Sequence, residues 1–498
     1  MAQPLLAAVD LGSNSFRLQV GRVVDDQIYP LDSLKETVRL AAGLTAQKRL
    51  DGASQQRALA ALARFGERLR GFDAGAVRAV ATDTLRVARN AAQFLVRAEA
   101  ALGFPIEIIA GREEARLIHL GIAHAVPDPR RQQLMVDIGG GSTEFIIGRG
   151  FEPLELASLY MGCVGFSLRH FPSGRADKAG FKAAELAARK ELQSIVRQFR
   201  ATGWQAAVGS SGTARALAEI LEANGLSPGG VSRGGLERLR GLLLRAGDLR
   251  RLDLPGLRPE RIPVLPGGLA IMLAVFREFG LEHMDYADGG LRLGVLHDLL
   301  GRTHQRDQRN ATVRHFLRRY QADLGQAARV AASARGFLRQ LLPGEEAQEI
   351  QLLEWAALLH EIGLSVAHSG YHRHGAYVLA HADMPGFSKM DQARLSRLVF
   401  AHRGKLDWLG DEPPGSNERL LVLSLRLAAI LHRSRDDTPP PAIVARRTAR
   451  GFALAIDADS LAALPLTAAA LEEEARQWAA LDVEVRIRAG RGRQPAAA

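Results

Sequence analysis

The sequence predicts an α/β protein built from two homologous halves that face each other across a cleft, followed by a helical region and a short α+β tail. Three observations carry this. A glycine-rich loop between two apolar runs occurs twice, as A-V-D-L-G-S-N-S-F at Ala8–Phe16 and as M-V-D-I-G-G-G-S-T-E-F at Met135–Phe145. Strand-like and helix-like stretches alternate as far as residue 305, the pattern of a mainly parallel, wound sheet. From residue 306 the pattern becomes nearly all helical.

The two loops align residue for residue: Asp10 with Asp137, Gly12 with Gly139 and Ser15 with Ser142. The aspartates stand about one domain length apart. Each unit reads strand, tight loop, strand. A loop without bulky side chains lets backbone N–H groups approach an anion, and an aspartate at the end of the first strand can hold a cation or a water beside it.

In the first half, a hairpin-like start (Leu5–Val24) precedes a helix (Ser54–Arg70), a strand (Val77–Val80) and a helix near Asn90–Leu102. A strand (Ile106–Ile109) then leads into a helix opened by Gly111-Arg112-Glu113-Glu114. The second half adds a helical stretch (Lys178–Arg200) and a third glycine-rich turn, Val208–Thr213, between a strand (Ala206–Val208) and a helix (Ala214–Leu221). That placement suits an anion at a helix N-terminus. Asp288-Gly289-Gly290 precedes a last helix, Leu291–Leu300.

Beyond it, Arg302–Arg319 holds six arginines and one aspartate, and Ile350–Arg403 holds six histidines: His360, His368, His372, His374, His381 and His402. After Pro439-Pro440-Pro441, two strands (Phe452–Ile456, Val483–Ile487) flank a helix (Thr467–Leu481), and Gly490–Ala498 reads as disordered. The domain reading is therefore 1–124, 125–305, 306–438 and 439–498.

The chain has 498 residues, a formal charge of +11, a pI near 10.2 and 47% hydrophobic residues. That content supports large cores, and the charge favours acidic partners. A genome that prefers Arg over Lys would give the same arginine excess. Aromatic content of 6% offers no stacking platform for nucleic acid, so no specific nucleic-acid partner is expected. Cys163 is the only cysteine, which excludes an intrachain disulfide and fits a reducing cytosol. The N-terminus reads as a strand rather than a signal peptide. The longest apolar stretch, Val264–Phe276, contains Pro266 and two glycines and reads as too short to span a bilayer, so no integral membrane contact is expected.

Taken together, A-V-D-L-G-S-N-S-F, A-T-D-T-L-R-V-A-R-N (81–90), G-R-E-E-A-R-L-I (111–118), V-D-I-G-G-G-S-T-E (136–144) and G-S-S-G-T (209–213) resemble the exopolyphosphatase and guanosine pentaphosphate phosphohydrolase family in order and spacing. The helical region resembles the histidine-containing third domain of its long members. The resemblance implies an actin-like (ribonuclease H-like) two-lobed core, an HD-like helical domain and a homodimer. It also implies magnesium as cofactor, with potassium a second candidate, and release of orthophosphate from chain ends. The expected location is cytoplasmic, with peripheral attachment to the inner membrane as the alternative.

The resemblance assigns roles. Glu114, directly before Ala-Arg, matches the family glutamate and is the expected catalytic base, with Glu113 its rival. Favourable helix-dipole placement alone would also put both glutamates in a first turn. Asp137 and Glu144 are the expected magnesium ligands, partly through water, with Asp10 the matching carboxylate in the first half. Phosphate oxygens are expected at Gly12, Ser13, Asn14 and Ser15, at Gly139, Gly140, Gly141, Ser142 and Thr143, and at Gly209, Ser211, Gly212 and Thr213. Arg86, in A-T-x-x-x-R, suits bidentate phosphate binding, with Arg17 a weaker candidate.

Two departures stand out. Where the family often has Gly-Leu-Arg-Glu-Gly, this chain has Gly290-Leu291-Arg292-Leu293-Gly294. His360-Glu361 replaces the His-Asp pair of metal-dependent phosphohydrolases, so that region reads as structural or as a basic wall. The leading expectation is an exopolyphosphatase acting on inorganic polyphosphate; the alternative is a guanosine pentaphosphate phosphohydrolase, which would also bind guanosine tetraphosphate, or a dual enzyme. A non-enzymatic sensor is disfavoured by the intact Glu114, Asp137 and Glu144, and an actin-like kinase by the Gly-Arg-Glu-Glu-Ala-Arg motif.

Overall fold

The computed structural model describes residues 4–490 apart from 25–26, 127, 129, 304–306, 345–346 and 414–415. The expected disorder of the last residues falls outside the described part for all but Gly490, which ends a strand. The chain forms two compact units, residues 1–308 and 309–498.

The first unit opens with three strands, β1 (Leu5–Leu11), β2 (Ser15–Val24) and β3 (Gln27–Thr37). Helix α1 (Gly52–Arg68) follows, capped by the Asp51 carboxylate, which accepts from the Ser54 N–H at 2.6 Å. Then come β4 (Val77–Ala81), α2 (Asp83–Val87), α3 (Ala91–Leu102), β5 (Ile106–Ile108) and α4 (Gly111–Ala125). The sheet order is β3-β2-β1-β4-β5. Strands β1 to β3 pair antiparallel, whereas β1–β4 and β4–β5 are parallel. The sheet is therefore mixed, not mainly parallel as expected. Strand β3 was hidden because it is an edge strand containing Pro30 whose residues are largely exposed, so it has no apolar run.

The second half repeats this plan. Strands β6 (Gln133–Ile138), β7 (Thr143–Arg149) and β8 (Glu152–Leu159) form the meander. Helices α5 (Cys163–His170), α6 (Lys178–Leu192) and α7 (Val196–Thr202) lead to β9 (Ala206–Ser210) and α8 (Ser211–Ala223). After β10 (Val231–Ser232) come α9 (Arg233–Ala246), α10 (Leu265–Phe279), β11 (His283–Tyr286) and α11 (Leu291–Thr303). The order β11-β9-β6-β7-β8 mirrors β5-β4-β1-β2-β3, with β10 added at one edge. The duplication seen in two loops thus extends through both sheets.

Helix α10 corrects the reading of Val264–Phe276. The helical stretch Pro259–Phe279 is long and apolar enough to cross a membrane, the single such stretch among the described residues, but 72% of its apolar window is buried inside the protein. It fills the core of the second half beside Phe145, Phe199 and Met284.

The two halves do not divide at residue 124. Helix α4 ends the first half in sequence, yet Ala115, Ile118 and Ile122 pack against Met135, Ile146 and Val208 of the second sheet. Helix α11 ends the second half, yet Val295, Leu296 and Leu299 pack against Leu6, Ala8 and Val80 of the first. The two helices cross at Gly121 and Gly294. A side chain on Gly121 would collide with the Gly290 carbonyl, and one on Gly294 with the Leu117 carbonyl.

The second unit contains α12 (Gln308–Arg319), α13 (Leu324–Leu341), α14 (Ala347–Leu359), α15 (Tyr371–His381), α16 (Lys389–Ala401) and α17 (Asn417–Leu431). It ends with β12 (Ile443–Thr448), β13 (Gly451–Asp457), α18 (Ala458–Ala463), α19 (Pro465–Ala479) and β14 (Glu484–Gly490), the three strands forming one sheet. The expected boundary at 439 does not separate two cores. Phe452, Leu454, Trp478 and Val485 share one hydrophobic cluster with Phe337, Leu341 and Leu425. A buried ion pair reinforces the join: Arg426 of α17 meets Glu474 of α19 at 2.6 Å, and the Trp478 indole N–H also donates to Glu474, at 2.7 Å.

Candidate active site

The two glycine loops become the hairpin turns β1–β2 and β6–β7. In the second, the Gly139 N–H donates to the Ser142 carbonyl at 2.9 Å. The loops lie against each other: a side chain on Gly140 would press on Ser13 and Asn14, and one on Gly141 would collide with the Asp83 carboxylate. Glycine is required there because the opposite half occupies the space. Between the halves lies a cleft of about 540 Å³. Asp10, Gly12, Ser13, Asn14, Ser15, Glu114, Asp137, Gly139, Gly140, Gly141 and Ser142 all line it. So do Ser211, Gly212 and Thr213 at the start of α8, where Ser211 adopts a left-handed backbone (φ 81°).

Glu114 sits in the first turn of α4, and its Oε2 accepts from Arg86 Nη1 at 3.0 Å. Burial, reinforced by Asp10 and Asp83, pushes its carboxyl up to about 7 against the opposing pull of Arg86. Burial also pushes Asp137 up to about 6, although the Ser210 hydroxyl donates to it. Asp10 is raised by burial against the pull of Arg292 and Arg17. Its Oδ1 is buried without a hydrogen-bond partner among the described residues.

Cations form the facing wall. Arg17, Lys35, Arg258, Arg261 and Arg292 all line the cleft. Burial, with the Arg17 charge adding to it, holds the Arg261 and Arg292 guanidiniums below their usual range. Burial and then the Arg261 charge do the same to Lys35. The guanidiniums of Arg17, Arg261 and Arg292 make no hydrogen bond or ion pair among the described residues. Cations crowded together in this way form a site that an anion would relieve. Sequence reasoning rated Arg17 weakly and missed the others, which are scattered through an arginine-rich chain. Proximity to motifs was the only available signal, and only Arg292 beside Gly290 had it.

The structure corrects several placements. Glu113 points away from the cleft and bonds Arg116 bidentately, with both contacts 2.8 Å, so it does not compete with Glu114 for the cleft. Thr143 is fully buried and donates its hydroxyl to the Met161 carbonyl. Gly209 lies within β9 and packs against Ala214 and Met284 rather than lining the cleft. Thr213 gives its hydroxyl to the Ile138 carbonyl at 2.9 Å and its N–H to Ser211 Oγ at 3.2 Å, so both donors are committed. Arg86 backs Glu114 instead of lining the cleft and also donates to the Ile109 carbonyl at 3.0 Å. Glu144 is 1% exposed and accepts from Ser158 Oγ at 2.8 Å; burial, then Glu114 and Asp137, hold its carboxyl well above the usual range. Among the described residues no three His, Cys, Asp or Glu side chains are grouped to hold a metal.

Comparison with known proteins gives the family. The model of the Ppx/GppA phosphatase family matches residues 19–303, and that of its domain III matches residues 308–475. The chain belongs to the Ppx/GppA phosphatase family. It is a phosphatase of the actin-like two-lobed type. A guanosine-5'-triphosphate,3'-diphosphate pyrophosphatase of Vibrio cholerae serotype O1 is 39% identical over 483 residues, covering 96% of this chain and 97% of the relative. A crystal structure of an exopolyphosphatase from Cytophaga hutchinsonii is 25% identical, with a TM-score of 0.53, and covers 59% of this chain and 97% of its own. The Aquifex aeolicus family member, at 24% identity and a TM-score of 0.52, shares the fold over 61% of this chain and 99% of its own.

Proposed function

We propose that this Ppx/GppA phosphatase hydrolyses the terminal 5′ phosphoanhydride of guanosine 5′-triphosphate 3′-diphosphate, releasing orthophosphate. The carrying observation is one cleft that combines backbone-lined phosphate loops, unpaired cations and a buried glutamate raised to about 7. The choice of nucleotide over polyphosphate is supported by the full-length likeness to the Vibrio cholerae enzyme.

In this reading the loops at 12–15 and 139–142 grip the terminal phosphate through backbone and hydroxyl donors. The cations hold the remaining phosphates. Glu114 orients a water in line with the leaving oxygen and takes its proton as the new P–O bond forms and the phosphoanhydride P–O bond breaks. Arg86 fixes the Glu114 carboxylate. Magnesium fits at Asp10 and Asp137, which line the cleft, and the unpartnered Asp10 Oδ1 suits a hard cation completed by water and phosphate oxygens. When bound, it would neutralise phosphoryl charge. Glu144, expected as a ligand, lies behind this pair.

Exopolyphosphatase activity is the second reading, favoured by the Cytophaga hutchinsonii likeness and the same cation wall. Orthophosphate release with magnesium, measured separately on the nucleotide and on long-chain polyphosphate, tests both, with Glu114→Gln as control. A higher kcat/KM on the nucleotide supports the proposal; a higher value on polyphosphate transfers the assignment. Release by Glu114→Gln equal to wild type removes Glu114 as base.

A further inference from the structure

Behind the cleft lies a buried network with no assigned role. Arg78 on β4 meets Glu107 on β5 at 2.9 Å, and Arg116 on α4 meets Glu113 at 2.8 Å. Asp298 on α11 joins these pairs. It accepts from Arg78 Nη1 at 2.7 Å, from Arg116 Nη2 at 2.5 Å and from Arg302 Nε at 3.1 Å. Arg302 reaches back to Glu107 at 3.6 Å. The carboxylates and guanidiniums balance in charge, as a buried cluster requires.

The anchored elements are those that carry Glu114 and its partner. Arg116 lies two residues beyond Glu114 on α4. Strand β4, gripped through Arg78, runs directly into α2, which bears Arg86. Helix α11 itself starts at the cleft, where Leu291 and Arg292 are lining residues.

We propose that Asp298 is a positioning residue for Glu114: by bonding Arg78 and Arg116 together it locks α4 to the β4–α2 arm and so holds the Glu114 carboxylate at bonding distance from Arg86. This rests on the hydrolytic role proposed for Glu114. Asp298→Asn tests it well, because each arginine keeps one carboxylate and only the link between the arms is weakened.

The experiment compares wild type, Asp298→Asn and Arg302→Gln in steady-state kinetics, amide hydrogen exchange and melting temperature. Arg302 touches Asp298 but is on neither arm. Asp298→Asn is expected to lower kcat about tenfold or more with KM nearly unchanged, as small misplacements of a catalytic group do. Exchange of amides 114–120 should accelerate while α8 stays at its wild-type rate. Arg302→Gln should lose melting temperature without that kcat loss. Loss of kcat in both variants in proportion to melting temperature, or unchanged exchange at 114–120 in Asp298→Asn, overturns the proposal. If Asp298→Asn does not fold, Arg116→Lys carries the same expectations and the same overturning results. Wild-type protein that releases no phosphate from either substrate would sink the hydrolytic reading alone, and the exchange rates would still decide whether Asp298 locks the arms.

Discussion

Arg17 and Glu144 hold equivalent places in the two halves of the duplication: Arg17 stands across its hairpin from Asp10, and Glu144 stands across its hairpin from Asp137. Their surroundings have diverged. Arg17 lines the cleft, whereas Glu144 is buried behind it. One half brings a cation to the cleft, and the other stores a carboxylate that burial disfavours.

Arg17→Met should therefore act mainly on binding. A charge-assisted contact contributes about 1.5–3 kcal/mol, so KM is expected to rise roughly ten- to hundredfold with kcat changed far less. The salt dependence of kcat/KM should also weaken. Steady-state kinetics across ionic strength checks this, and an unchanged KM would place Arg17 outside the substrate contacts.

In the role proposed for it, the Glu114 carboxyl should set a pH limb. A base must be ionised, so kcat/KM should rise with pH through about 7 and then level. Arg86 favours the ionised form, so Arg86→Met should move the limb to higher pH. The same shift opposes stability. The fold holds this proton above the unfolded value of about 4.3, so Glu114 makes stability fall as pH rises from there to about 7. Glu114→Gln should remove that slope in urea titrations.

Asp298 works in the opposite sense. Burial alone would raise its carboxyl, but Arg116, Arg78 and Arg302 hold it well below the usual carboxylate range. Its contribution is present above the unfolded value of about 4 and is lost as pH falls below it. The first unit should lose stability steeply in acid, and Asp298→Asn should flatten that loss. A wild-type protein whose urea midpoint does not change between pH 5 and pH 3 would contradict this.

The second unit should fold only whole. Residues 309–498 expressed alone should melt cooperatively, whereas 309–438 should lose fixed packing because Phe452, Trp478 and Val485 are removed from its core. Glu474→Ala should destabilise it by about 3–5 kcal/mol by leaving Arg426 buried and uncompensated. Circular dichroism melts of the segments and of the variant measure both.

The duplicated loops were legible because glycine and aspartate at fixed offsets are a local signal, and so were α1, α3, α4, α6, α8, α11, α19 and most central strands. Strand β8, like β3, runs half-exposed along an edge and leaves no apolar run. The cation wall was not legible: Lys35, Arg261 and Arg292 meet only through tertiary structure. Within the buried network only Glu113–Arg116 and Asp298–Arg302 are neighbours along a helix, and neither pair was among the expectations. Thr143 and Gly209 match the motif but lie within strands, buried away from the cleft. Residue identity announced the chemistry; tertiary placement decided which members of each motif line the cleft.

The exchange of helices between the halves has a consequence for how the enzyme could be taken apart. Each sheet is closed by a helix encoded at the end of the other half's sequence, so neither 1–124 nor 125–305 contains a finished fold. Fragments cut between α4 and β6 should be poor folders singly and yet reconstitute when mixed, each supplying what the other lacks. The two repeats are mutually dependent, and the reassembly that restores both halves also rebuilds the cleft between them.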